Sequence, residues 1–521
     1  MPASHCPSSL PALLLASLCF TAAALGTDKG LTAPGTGISK FLPFDMPPYS
    51  SLVESPKKVF PHWHLYKLSW DNKDPENDFY MNSVCVTEGP YPNKGRQRAL
   101  PRPVRSETDW KVLDMMHEIA LAKDIGCDGF WMNHFGNDND HIDPMLEAAR
   151  RMNSEFKILL AQDCVGYMPQ LRKSTLARVG PATEYYSDLY AQYGKHPFAY
   201  RVDGKLALSA FGSMWVSSEE WAAIFGNLKQ EGIEVYFMPI FMGWTEESAS
   251  FLKSYGPISE GFGDWGRRTP DSAPLYAAAA KQCHEAGKKW IMPVATQDLR
   301  VKEDDGRAGI FWESRGSETF RNYWKAAIDS NSDWVQLITW NDYSEGTEIA
   351  PSTGTQYAFY DLTAYYLVWF KTGSPPPIVR DVLYYFHRTQ FSDAIPSIGK
   401  THRPLESPPV DIIELLGFLK EPGVLRIEIG GKVFEKEAPA GLTSFQIPLQ
   451  FGRPVFQLVR KGESVISLQS AFTIDDKPAL VHDLLYKGGS STREPVPMVD
   501  LYRRFVDFSD PDAKHKRKGG Q

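Results

Sequence analysis

Residues 206–241 read LALSAFGSMWVSSEEWAAIFGNLKQEGIEVYFMPIF and hold one complete strand–helix–strand unit. The runs 206–211 and 235–241 are short and apolar, as strands covered on both faces are. Between them, Ser217-Ser218-Glu219-Glu220 offers a hydroxyl cap and two carboxylates at the positive end of a helix dipole, which predicts a helix over 218–229. The same alternation extends in both directions. Upstream, strands are predicted at 59–68, 129–135 and 156–162, with helices at 110–123, 143–152 and 184–193. Downstream, strands at 261–265, 290–294 and 334–340 interleave with helices at 246–253, 274–285, 318–328 and 360–370. Eight such alternations over about 320 residues predict an α/β fold, a (β/α)8 TIM barrel.

Ser374-Pro375-Pro376-Pro377 cannot continue a helix, so the barrel is expected to occupy 56–378. Beyond it the period changes from helical to two. Leu425, Ile427 and Ile429 alternate with Arg426 and Glu428, and Gly430-Gly431 then turns the chain back as a two-residue hairpin. Residues 379–508 are therefore predicted to form a small C-terminal β-sandwich, with a basic disordered tail at 509–521. At the other end, the apolar run 10–26 ends in small residues and is too short to span a bilayer, so 1–26 is predicted to be a cleavable signal peptide. Residues 27–55 are rich in Gly, Pro, Ser and Thr without periodicity and are expected to be a linker. A secreted or periplasmic protein with no stable membrane insertion after leader cleavage follows.

A net charge of −7 with both signs interspersed gives no basic stripe, which argues against nucleic acid as a partner. Four cysteines remain after the leader, namely Cys85, Cys127, Cys164 and Cys283, without a CxxC pair, so no zinc site is expected. Cys127 and Cys164 fall in strand-like contexts and are read as buried thiols, while a disulfide involving Cys85 or Cys283 stays open. Asn137-Asp138-Asn139-Asp140 has the acidity of a calcium loop but lacks its Gly and distal Glu, and Asp143-Pro144 more simply starts a helix. Neither a metal nor a redox cofactor is called for.

In a barrel of this kind the reactive groups lie where the strands end, at their C-terminal mouths. Those positions carry His62, His64 and Tyr66 on the first strand, Asn133 and His134 on the second, and Asp163 on the third. Asp264 and Trp265 end the sixth strand, Gln297 and Asp298 follow the seventh, and Trp340-Asn341-Asp342-Tyr343-Ser344-Glu345 ends the eighth. Cleaving a glycosidic bond takes one carboxylic acid to protonate the leaving oxygen and one carboxylate to activate water or attack the sugar. Asp342 and Glu345 are that pair, and Trp340, Asn341 and Tyr343 bring an indole, a carboxamide and a phenol suited to a sugar. The competing reading is that Asp342 only caps the next turn and Glu345 is solvated. His62, Asn133, His134, Asp163, Asp264 and Trp265 are candidate substrate contacts, with internal hydrogen bonding as their alternative. Trp312-Glu313-Ser314-Arg315 is read either as a subsite wall or as a surface Glu313–Arg315 pair.

The octad Ile338-Thr339-Trp340-Asn341-Asp342-Tyr343-Ser344-Glu345 resembles the W-N-D-Y-G-E-S signature of glycoside hydrolase family 71, the α-1,3-glucanases or mutanases. Val59-Phe60-Pro61-His62-Trp63 resembles that family's first strand and Gly129-Phe130-Trp131-Met132-Asn133 its second, so the likeness covers roughly 56–470. It implies inversion of configuration, with Glu345 as general acid and Asp342 as general base. The sequence departs from the signature at Ser344 and Gly346, and around His62 at Pro61 and Trp63, which leaves linkage specificity open. The expectation is a hydrolase of a neutral α-glucan, most simply α-1,3-glucan, with a polysaccharide or oligosaccharide as partner. Two alternatives stand beside it: a barrel glycosidase acting on α-mannan, and a barrel that binds carbohydrate without turning it over.

Overall fold

A computed structural model describes residues 37–64, 69–85, 94–134, 140–164, 179–302, 308–397, 399–475, 479–496 and 501. The expected leader, the tail, Tyr66 and the acidic positions 137–139 lie outside them. Eight parallel strands form the barrel: β1 Lys58–Trp63, β2 Gly129–His134, β3 Lys157–Asp163, β4 Lys205–Phe211, β5 Val235–Phe241, β6 Gly261–Asp264, β7 Lys289–Ala295 and β8 Trp334–Ile338. Each pairs with the next, β8 pairs with β1, and β3 with β4, so the sheet closes without an edge. Helices α1 Trp110–Asp124, α2 Ile142–Arg151, α3 Val179–Tyr193, α4 Ser218–Gln230, α5 Trp244–Tyr255, α6 Ala273–Glu285, α7 Glu318–Asp329 and α8 Ala358–Thr372 form the outer ring. The predicted cap is present: Ser217 Oγ accepts from Glu220 N at 3.2 Å and Glu220 Oε2 from Ser217 N at 2.9 Å.

The inward positions alternate along each strand, so Phe60, Trp131, Leu159, Ala207, Met238, Ile291 and Trp334 meet inside the barrel and fill it. Outward positions pack against the helices in one large cluster. At the N-terminal face Asp128 Oδ2 accepts from Val59 N at 2.7 Å and pairs with Lys371 Nζ at 2.6 Å, tying the end of α8 to β1 and β2. The segment expected to be a linker departs from that expectation. Its residues Leu42, Phe44 and Leu52 are buried in the main core, and it carries a short helix, Tyr49–Val53. Hydrophobic side chains every few residues let a glycine-rich and proline-rich stretch dock without a periodic pattern.

The sandwich has strands β9 Val382–His387, β10 Ile412–Leu419, β11 Gly423–Ile429, β12 Lys432–Ala438, β13 Gly441–Pro448, β14 Val455–Arg460, β15 Glu463–Gln469 and β16 Lys487–Ser490. They make two antiparallel sheets of order β13-β10-β9-β16 and β12-β11-β14-β15, with Leu383, Tyr385, Leu415, Leu425, Ile427 and Phe456 packed between them. Gly430 and Gly431 both have positive φ, 57° and 73°, as the two-residue turn between β11 and β12 demands.

Two fully buried carboxylates join sandwich to barrel. Glu313 pairs with Arg388 at 2.7 Å and also accepts from Val410 N at 2.8 Å, Tyr486 OH at 2.9 Å and Arg315 N at 2.7 Å. It is thus neither a subsite wall nor half of a surface pair, because Arg315 turns its guanidinium to Asp271 and Glu318 instead. Glu414 accepts from Ser317 N at 2.7 Å at the head of α7 and from Arg321 at 2.9 Å. All four described cysteines are buried, and none of them is bridged to another described cysteine, so the structure shows no disulfide between Cys85 and Cys283.

Candidate active site

Strand β8 lies between β1 and β7, and the chain leaves it at Ile338 into a loop that folds back on itself. Thr339 N donates to Thr347 O at 2.8 Å, Ala350 N to Trp340 O at 3.0 Å, and Trp340 N to His62 O at 2.7 Å. Asp342 sits at the bend. Its Oδ1 accepts from Ser344 N at 3.1 Å, Ser344 Oγ at 2.6 Å and Glu345 N at 3.2 Å, the local pattern by which an Asp organises a turn. The turn-capping role is therefore present in one oxygen. The other, Oδ2, has His64 Nε2 at 3.7 Å and accepts no hydrogen bond from a described residue. Gly346 has φ +69°, and a Cβ there would meet Leu485 Cδ1 at 2.4 Å, so any side chain after Glu345 would sit in strained backbone and push Leu485 aside on the sandwich side.

Glu345 is not merely solvated. Its side chain is one-quarter exposed, Oε2 lies 3.5 Å from Arg300 Nε, and its backbone oxygen accepts from Leu299 N at 2.9 Å. Burial pushes its carboxyl up to about 7; Arg300 and Lys94 oppose that, and the charges of Asp342 and Asp298 reinforce it. A carboxyl that holds its proton near neutrality beside one fixed in a polar turn is the electrostatic asymmetry of an acid and its partner.

The remaining candidates divide by what their side chains already touch. Trp340, Asn341 and Tyr343 are placed inside the protein rather than along a sugar path. Trp340 Nε1 donates to Glu118 at 2.6 Å. Asn341 bridges His64 N at 2.6 Å and Ser69 Oγ at 2.9 Å. Tyr343 packs with Tyr80, Met81 and Ala99. Asp264 is also structural in its contacts: it accepts from Trp244 N at 2.9 Å, Gly266 N at 2.7 Å and Tyr276 OH at 3.2 Å, and burial raises it to about 6. His134 Nδ1 meets Tyr185 OH at 2.6 Å, and Asn133 Nδ2 donates to Asp163 Oδ2 at 3.3 Å. His62 is buried, which holds its imidazole well below the usual range and hence neutral, and it lies edge-on to Trp265 with ring centres 4.9 Å apart. Trp265 stays half-buried between His62 and Phe211. The structure therefore brings together His62, His64, Trp265, Asp342 and Glu345 around the mouth. To these it adds Arg300 and Lys94, and it joins Arg300 to Asp298, one of the mouth positions read from the sequence. The spacing of Asp298 and Arg300, two apart on one strand and so on one face, was the sequence signal for that pair.

Glu348, at the back of the same loop, is fully buried, accepts from Gln97 Nε2 at 2.6 Å and is pushed up by burial to about 7. A carboxyl raised in the folded state favours folding at low pH and loses that contribution as pH rises through about 7. Glu348→Gln removes this penalty, so its stability relative to the parent is expected to grow by about 3 kcal/mol between about pH 5 and about pH 8. Denaturant titrations of both proteins at the two pH values check it; an unchanged difference would show Glu348 to be ionised at no cost.

The comparisons bear on this geometry. An ascus wall endo-1,3-alpha-glucanase of Schizosaccharomyces pombe is 24% identical over 405 residues, spanning 68% of this chain and 87% of that protein. The mutanase Pc12g07500 of Penicillium rubens is 22% identical across 72% of this chain and 84% of its own length. Among solved structures, a GH99 endo-alpha-mannosidase from Bacteroides thetaiotaomicron covers 60% of this chain and 97% of its own with a TM-score of 0.46 at 13% identity. The family model of glycosyl hydrolase family 71 matches residues 104–483, from before α1 to the far side of the sandwich, and includes both carboxylates of the β8 loop. The chain belongs to glycosyl hydrolase family 71 and is a glycoside hydrolase.

Proposed function

We propose that the protein hydrolyses α-1,3-glucan with inversion, Glu345 protonating the glycosidic oxygen while Asp342 takes a proton from the attacking water. The observation that carries this reading is the unequal environment of the two carboxyls. Glu345 holds its proton to about 7, whereas Asp342 is locked through Oδ1 and offers Oδ2 beside His64. In the reaction the C–O bond to the leaving sugar breaks as Glu345 gives up its proton, and water adds from the opposite face after losing one to Asp342. His64 Nε2, 3.7 Å from Asp342, is placed to steady that carboxylate. Trp265 gives a half-buried ring at the mouth against which a sugar can stack. The glucan linkage is supported by the relatives' named activities and by the resemblance of residues 340–345 to the family signature.

The apolar run 10–26 supports export from the cytoplasm, in keeping with the ascus wall glucanase among the relatives, and no described helix is long and apolar enough to cross a membrane. Incubation with α-1,3-glucan, α-1,4-glucan and α-mannan, followed by proton NMR of the first-formed products, tests the proposal. Release from α-1,3-glucan with the β-anomer appearing first is expected. Turnover of mannan alone rejects the linkage, α-anomer first rejects inversion, and binding without turnover rejects catalysis.

A further inference from the structure

Strand β7 does not pass straight into α7. The chain first makes a hairpin from strands Asp298–Lys302 and Ala308–Trp312, which pair antiparallel with Asp298 opposite Trp312 and Arg300 opposite Ile310. This hairpin reaches the β8 loop. Leu299 N donates to Glu345 O, fixing the register between hairpin and loop, and the next residue, Arg300, meets the Glu345 side chain.

We propose that Arg300 is a positioning residue for the acid, resting on the reading of Glu345 as proton donor: its charge, 3.5 Å from Oε2, draws that oxygen toward the hairpin and leaves Oε1 to face the glycosidic oxygen. Three contacts immobilise the guanidinium. It forks onto Asp298 at 3.2 and 3.1 Å, lies over the Trp312 ring at 5.2 Å from its centre, and places Nε 3.5 Å from Glu345 Oε2. Asp298 is itself fully buried and has Arg268 at 3.5 Å, whose guanidinium donates to the backbone oxygens of Trp265 and Gly266. A continuous chain of charges therefore runs from the end of β6, through Arg268, Asp298 and Arg300, to the acid after β8. Guanidinium forks restrict orientation as well as distance, which an ammonium does not.

The groups that face Glu345 are Arg300 and Asp298 on the hairpin, Asp342 on its own loop and Lys94 on the segment before α1, with His64, just past the end of β1, 3.7 Å from Asp342. Arg300 carries the larger of the two positive influences on Glu345. Removing it frees the carboxyl to rotate and lets burial and the two aspartates act with less opposition.

The experiment is kcat against pH on α-1,3-glucan for the full-length parent, Arg300→Gln, Arg300→Lys, Asp298→Asn and Glu345→Gln, with melting temperatures alongside. Arg300→Gln is expected to lower kcat about 10- to 100-fold and to move the alkaline limb up by about one pH unit. Arg300→Lys keeps the charge without the fork, so its limb stays near the parent's while kcat falls; Asp298→Asn, which loosens the fork, is expected to lower kcat as well. An inactive Glu345→Gln together with an Arg300→Gln whose kcat and limb match the parent overturns the role of Arg300 alone. So does an Arg300→Gln that loses activity only in step with its melting temperature, its limb unmoved. If Glu345→Gln turns over at the parent's rate, the acid assignment and this proposal fall together.

Discussion

Glu345→Gln is expected to lower kcat on α-1,3-glucan by about 10²- to 10⁴-fold while the melting temperature stays near the parent's. The amide keeps the volume and the backbone contact to Leu299, and it removes only the proton that the leaving oxygen needs. In the parent, kcat should fall as pH rises through about 7, because the raised carboxyl loses its proton there. Asp342→Asn is expected to be as damaging, for a different reason. Its amide can still accept from Ser344 and Glu345 through one oxygen, so the turn survives, but it cannot take a proton from water. Single-turnover rates and melting curves for both variants check the pair; a parent-like rate in either removes that residue from the chemistry.

The second large effect is on stability. Glu313→Ala is expected to destabilise the protein by about 3–5 kcal/mol, since it takes the 2.7 Å counter-charge from the buried Arg388 guanidinium and leaves it only Asp411 at 3.4 Å. It also leaves Val410 N and Arg315 N without their acceptor and Tyr486 OH with Val410 O alone. Because Glu313 directly follows the hairpin that carries Arg300, the loss should reach the site too. Denaturant unfolding is the direct measurement, and Arg388→Met combined with Glu313→Leu serves as its counterpart. The double replacement removes both charges at similar volume and should recover much of the loss. Equal destabilisation by single and double variants would show that packing, rather than the ion pair, holds the sandwich to the barrel.

Most of the barrel was legible because its strands are covered on both faces and so appear as short apolar runs between helices. The run 235–241 matched to the residue, and the strand ends elsewhere moved by a few positions, as at 59–68, which stops at Trp63. The place of Asp342 and Glu345 at the barrel mouth was legible for a related reason: position just past the end of a strand fixes which side of the barrel a residue lies on. It does not fix where the side chain points. Trp340, Asn341 and Tyr343 share the loop with Asp342 and Glu345, yet the loop's return pairing through Thr339 and Thr347 turns them inward. Contacts between distant segments were invisible for the opposite reason. Glu313 finds Arg388 and Tyr486 far along the chain, and only the fold brings them together. Arg300 reaches Glu345 through a hairpin inserted between β7 and α7, a feature that strand and helix periodicity skips over.

The reading that Glu345 donates the proton can be isolated by changing the leaving group. On an α-glucosyl fluoride of matching chain length, departure needs little protonation, so Glu345→Gln should regain most of the parent's rate while remaining nearly inactive on the glucan. Asp342→Asn should stay slow on both, because the water still lacks its base. A Glu345→Gln variant that is equally crippled on fluoride and glucan would contradict the account.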